Sequence, residues 1–321
     1  MEKDQRPGII DTLTTAYGVV NRWPILMVPP IILDLFLWFG PRISVESLIL
    51  SLVDRVEAQG GADGEIMSQL RDVAVQVDLL SLLAFQTPSI MRLLNPLHMP
   101  FGAARSLIGV TDASTALALG VLVLILGVLI ASVFRVPIAR VVRDGKPGWS
   151  SIGIPIASAW WRQILLYIIL ILGAVLVAVP LALLATVLSL GGLPAMPLVA
   201  AGLQVVVLWL GVFLFFVIDA IVLSEVGPIR AVWFSVNVVR RNFWSSLGFM
   251  VLSLVILGGL WQVFLIVGQV ALGVPLAILG SAYIASGLDT ARLLFFRDRL
   301  ARWQQQQRAA ALSHVGPRSP R

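Results

Sequence analysis

The chain has 321 residues, of which 58% are hydrophobic and only 12% charged, with a mean hydropathy of +0.94. Soluble domains carry about 25% charged residues, and a soluble fold of this length does not hide so much apolar surface. The net charge of +6 does not point to nucleic acid, because the basic residues gather at the ends of apolar segments and form no single patch.

Cysteine is absent, which excludes disulfides, thiolate metal sites and cysteine nucleophiles. The two histidines, His98 and His314, are far apart in sequence. No Gly-rich phosphate loop, zinc-protease motif or Gly-x-Ser-x-Gly occurs. The reading is therefore of a protein that is not an enzyme and takes no cofactor or metal.

In chain order, residues 1–23 mix acids and bases and read as a cytoplasmic segment. Residues 24–40 follow as a first, short span from Pro24 to Phe39, with Pro29-Pro30 inside it. No small-residue cleavage site follows, so it reads as an uncleaved span. Residues 41–113 form the one sizeable loop on the outer side. Val45, Leu48, Ile49, Leu52, Val53 and Val56 make an apolar stripe at helical spacing, and Ile66, Leu70, Val73, Val77 and Leu80 make a second. Gly60-Gly61-Ala62-Asp63-Gly64 separates them, and an irregular stretch from Thr87-Pro88 to Pro100 is expected after them. This loop carries eight acids against five bases. It reads either as helices that cap the bundle or lie on the outer leaflet, or as a docking surface for another protein.

Residues 114–296 hold five further segments near the roughly 20 residues that a spanning helix needs. They run Thr115–Phe134, Ile164–Leu190 with a kink expected at Pro180, Leu198–Leu223, Leu247–Val270 and Val274–Phe296. The last is expected to continue as a cytoplasmic helix through Arg308, within a C-terminal segment of residues 297–321. With both termini inside, 18 of the 23 Lys and Arg fall on the inner side. That is the bias of cytoplasmic loops. The expected fold is all-α: an integral membrane bundle of about six transmembrane helices with interfacial amphipathic linker helices, in the cell membrane.

Two inner loops are alike. After the second span come Phe134-Arg135-Val136-Pro137, Asp144-Gly145-Lys146-Pro147-Gly148-Trp149 and Ala159-Trp160-Trp161-Arg162. After the fourth come Ser224-Glu225-Val226-Gly227-Pro228, an apolar stripe of Ile229, Val232, Trp233 and Val236, and then Arg240-Arg241-Asn242-Phe243-Trp244. The pattern reads as a parallel duplication of spans two and three as spans four and five. Trp side chains favour the headgroup layer and Arg meets phosphates there. Trp160, Trp161, Trp233, Arg240, Arg241 and Trp244 are therefore expected to face lipid at the inner interface.

Glu225, Gly227-Pro228, Ile229-Arg230-Ala231, Ser235 and Asn242-Phe243-Trp244 resemble a pattern in bacterial integral membrane proteins, including the membrane domain attached to some glycerophosphodiester phosphodiesterases. Val232 and Trp233 stand before Ser235 where that pattern is shorter. The resemblance implies a helical membrane domain with in-plane linker helices. It implies no catalytic activity.

Three acids fall within spans: Asp34, Asp219 and Asp289. A buried charge is costly unless paired or hydrated. Ala277, Ser281, Ala285 and Asp289 recur every four residues, with Arg292 on the same side, so this face is expected to meet the bundle. An Asp289–Arg292 pair at i, i+3 would neutralise itself. Asp34 is expected to satisfy backbone groups freed by Pro30 or to pair with an Arg of another span. These four residues are either packing pairs or the lining of a path. The leading expectation is an accessory or scaffold protein that binds membrane lipids or a partner membrane protein. The alternative is a small transporter.

Overall fold

The computed structural model describes residues 8–58, 64–91, 106–191, 195–270 and 272–314. The Gly60–Asp63 break, His98, Arg92, Arg105 and the C-terminal tail lie outside the described residues, as do the side chains of Ile66 and His314. The fold is an all-α membrane helical bundle. Its helices are α1 (Ile9–Arg22), α2 (Val28–Phe39), α3 (Glu46–Ala58), α4 (Gly64–Gln76), α5 (Ala113–Asp144) and α6 (Gly153–Leu190). They continue with α7 (Ala195–Phe213), α8 (Val217–Ser224), α9 (Pro228–Arg241), α10 (Phe243–Val267) and α11 (Gly273–His314). Two three-residue strands, β1 (Arg42–Ser44) and β2 (Leu107–Gly109), pair in parallel.

Among the described residues, five stretches are long and apolar enough to cross a membrane: α5, α6, Pro197–Ser224, α10 and the Gly273–Ala309 part of α11. The first expected span is different. A 3-10 turn over Pro24–Met27 leads into the short α2, and the pair formed with α1 is bent by 97° at Trp23. Counted as one span, that pair is a sixth. Pro29 and Pro30 sit in the first turn of α2, where their missing N–H groups need no helical partner.

Three other expectations change. The helix does not stop at Phe134 but runs through Pro137 to Asp144. Val136, Ile138, Val141 and Val142 are all buried there, and that packing outweighs one lost hydrogen bond. The turn comes at Gly145 and Gly148, both with positive φ, which glycine adopts freely. The stretch with Trp160 and Trp161 is the opening of α6 itself, so spans two and three have no separate linker helix. Spans four and five do have one, α9. Asn242 ends it, with its side-chain amide donating to the Val238 carbonyl. Finally, the fourth span is interrupted between Phe213 and Val217.

The chain divides into two units. One comprises residues 1–16, 139–252 and 290–321, the other residues 17–138 and 253–289. In the first, α9 packs on α6, α7 and α8, with Phe234, Ser235, Val238 and Val239 on its buried face. An aromatic stack of Phe216, Phe249, Phe295 and Phe296 fills the interior.

In the second unit, α3 and α4 form a hairpin held by Arg71, which bonds Asp54 and Glu57 at 2.9 Å each. The core joins Leu33 and Leu37 of α2, Val123 of α5, and Val274 and Ile278 of α11. It also contains Leu83, Ala84, Ile90 and Met91 from the loop after α4. That loop was expected to stay outside the bundle. Instead Leu83, Ala84, Ile90 and Met91 are part of the core, with Leu80 and Leu82 packed against it. Ala277, Ala285 and Asp289 are buried along α11, as the small-residue stripe requires.

Candidate functional site

The polar residues inside these helices build two sites. The second unit holds the larger one. Asp78 caps a 3-10 helix over Leu79–Ala84, accepting from Leu80 N, and also accepts from Ile43 N of β1. From there the chain runs beside α5. A Cβ at Gly120 would stand 3.9 Å from Leu79, and one at Gly127 only 2.6 Å from the Leu82 carbonyl oxygen. Gly127 is thus the notch that lets loop backbone lie directly on the helix. Further along, Arg135 donates through Nη1 to Gln86 Oε1 at 2.9 Å and through Nη2 to the Gln86 carbonyl at 2.8 Å. Its Nε lies 3.6 Å from Asp289 of α11. From Gly120 to Arg135 is about 22 Å along α5 at 1.5 Å per residue.

The chain then turns back. Asp34 of α2, only 1% exposed, accepts from the Ser89 hydroxyl, from Ile90 N at 3.2 Å and from Met91 N at 3.3 Å. Among the described residues neither expected partner holds it: not the groups beside Pro30, and not an arginine. Irregular backbone in an apolar setting must find partners for its own amides and carbonyls. Here a carboxylate takes the N–H groups and a guanidinium takes the carbonyl.

The first unit holds the other site. Asp219 of α8, also 1% exposed, meets Arg292 Nε at 2.8 Å and 3.0 Å through its two oxygens. The guanidinium lies 5.7 Å from the Phe215 ring centroid, within cation–π range. Asp219 follows directly after the interruption of the fourth span. Ser235 of α9 repairs that break: its hydroxyl donates to the Phe213 carbonyl at 2.7 Å and accepts from Phe216 N at 3.2 Å. Near the end of α5, Arg143 bonds Glu225 at 2.8 Å.

Of the expected residues, then, Asp219 and Arg292 meet each other, and Asp289 meets Arg135. Arg135, Gln86, Ser89 and Ser235 complete the sites and were not singled out as site residues. Arg135 was visible only as a topological charge, and no local pattern marks Gln86 or Ser89. The expected lipid-facing residues are on the first unit's surface. Trp161, Trp233, Trp244, Arg240 and Arg241 are exposed and Trp160 is half-buried. Arg241 sits 5.9 Å from the Trp303 ring centroid.

No family model, no curated protein and no solved structure matches this chain.

Proposed function

We propose that the protein is a non-catalytic, multi-pass protein of the cell membrane that binds anionic lipid and supports a partner membrane protein. The observation that carries this reading is how the intramembrane acids are used. Asp34, Asp219 and Asp289 each meet donors or an arginine of their own unit, so their charge serves packing. The exposed chemistry lies elsewhere, on α9 and at the starts of α6 and α10. There Trp161, Trp233 and Trp244 accompany Arg240 and Arg241. This combination suits a headgroup layer. With both termini cytoplasmic, the basic loops place these residues on the inner face. The resemblance of residues 225–244 to bacterial membrane domains supports the same reading.

The test is extraction in a mild detergent followed by mass spectrometry of everything that co-purifies. Anionic lipid enriched over bulk membrane, and lost on Arg240→Ala/Arg241→Ala, is the expected result. Lipid in bulk proportions, with no stoichiometric protein, refutes it. Deleting residues 46–76 should release the partner and spare the lipid.

A transporter is the second reading, with Asp34, Asp219, Asp289 and Arg292 lining its path, favoured by the burial of the three acids within apolar helices. Asp289→Asn discriminates. A structural acid lowers abundance when neutralised, whereas a coupling acid preserves abundance and abolishes flux.

A further inference from the structure

Residues 79–91 enter the interior of the second unit along α5 and fold back to α2. β1 directly follows α2 and β2 directly precedes α5, and the two pair, so the end of α2 and the start of α5 are level. Asp78 bridges to β1, which places the start of the segment at that level too. Gln86 then reaches Arg135, most of the way along the apolar part of α5. By Ser89–Met91 the chain is back at Asp34, about 8 Å from the end of α2 at helical rise. This is a re-entrant path.

Its turning point is bracketed by three helices through Asp34, Arg135 and Asp289. The charges there have partners. Arg135 Nε faces Asp289 as an ion pair at 3.6 Å, and beside that pair stand two neutral groups. Gln86 Nε2 and Thr87 Oγ1 are both buried without a hydrogen-bond partner among the described residues, and Thr87 is only 4% exposed. A buried hydroxyl and amide left unpaired lose the hydrogen bonds they make in water, and a guest molecule would restore them. The guest must offer an acceptor to the amide. It need bring no charge, because Arg135 already faces Asp289 at 3.6 Å and the Asp34 carboxylate already accepts three hydrogen bonds.

We propose that the turning point at Gln86–Thr87 is a hydrated binding site for a small uncharged hydrogen-bonding molecule, entered along the re-entrant segment. Water is its smallest occupant. The proposal goes beyond the scaffold reading and stands or falls separately from it.

The cysteine-free chain supplies the test. Thr87→Cys is placed in the full-length protein in intact membranes and treated with the neutral hydroxyethyl methanethiosulfonate and with its trimethylammonium and sulfonate analogues. Ser51→Cys, on the exposed face of α3, and Val128→Cys, sealed in α5, set the upper and lower limits. A thiol at a hydrated site reacts within roughly tenfold of the exposed one, while a sealed thiol waits for local opening. The expected result is Thr87→Cys close to Ser51→Cys with the neutral reagent and slower with both charged ones. Reaction as slow as Val128→Cys overturns the proposal, and so does faster reaction with the cation or the anion. If Thr87→Cys does not yield a monodisperse protein, Pro88→Cys takes its place with the same outcomes. Because lipid and partner retention are not read, a dry Thr87 leaves the scaffold reading untouched.

Discussion

Replacing Asp34 tests whether one carboxylate holds the re-entrant segment in the core. Asp34→Ala strands three donors, the Ser89 hydroxyl and the Ile90 and Met91 amides, in a region where Ile90 is 2% exposed. Hydrogen bonds to a charged group contribute about 1.5–3 kcal/mol each, and the two long amide bonds belong at the lower end. Removing a buried charge returns part of this as relieved desolvation. The balance is a loss of about 3 kcal/mol, or roughly a hundredfold in the folding equilibrium. Asp34→Asn keeps one acceptor oxygen but turns an NH2 toward the same donors, so about half of that loss is expected. The assay is equilibrium unfolding in mixed detergent and sodium dodecyl sulfate, followed by far-UV circular dichroism. If both variants lie within about 0.5 kcal/mol of the parent, the usual spread for an uninvolved surface site, Asp34 does not hold the segment and the argument fails.

Gly127→Leu places side-chain atoms where the Leu82 carbonyl lies, and it should destabilise by about 1–3 kcal/mol as other overpacked cores do, read as a lowered melting temperature in detergent. Breaking the Asp219–Arg292 pair by either Asp219→Ala or Arg292→Ala should cost about 3 kcal/mol, because each strands a buried charge, and the double variant should cost well under the sum; additive losses in a double-mutant cycle would refute the pairing. Asp112 precedes α5 and accepts from the Ser114 hydroxyl first and then from the Thr115 amide and hydroxyl, which holds its carboxyl below the usual range. Its capping contribution is therefore present above the unfolded carboxylate value near about 3.9 and fades as pH falls through the lower folded value. Stability measured from pH 6 downward should lose that part of its acid slope in Asp112→Asn.

The parts of the fold that rest on local pattern were legible in the sequence. The long spans follow from hydropathy, the α3–α4 hairpin from two stripes around a glycine run, and the buried face of α11 from Ala277, Ala285 and Asp289 at four-residue spacing. The parts that rest on contacts distant in sequence were not. Asp34 could be recognised as costly in its span, but its partners lie some 55 residues on, in a stretch whose apolar residues read equally well as loop or core. Pro137 suggested an end to its helix, and only the burial of Val136 and Ile138 explains why the helix continues. The interruption near Phe216 left no mark in hydropathy, because a serine on α9, 19 residues away, answers for the missing hydrogen bonds. In the candidate site the acids announced themselves and Ser235 stood within the pattern of the resemblance, while Gln86 and Ser89, which are ordinary polar residues, did not.

The clamp on residues 86–91 also sets an order of events during synthesis. Asp34, Ser89 and Met91 are all made before α5 is complete, so that half of the clamp is available early. Arg135 must wait for Asp289, about 150 residues later in the chain. At the usual pace of translation, about 5–20 residues per second, that is a delay of roughly ten to thirty seconds. During it the nascent chain carries an arginine beside an apolar span without its acidic neighbour. The last helix to emerge is therefore the one that closes the second unit, and a chain truncated before residue 289 would present the insertion and quality-control machinery with an uncapped cation.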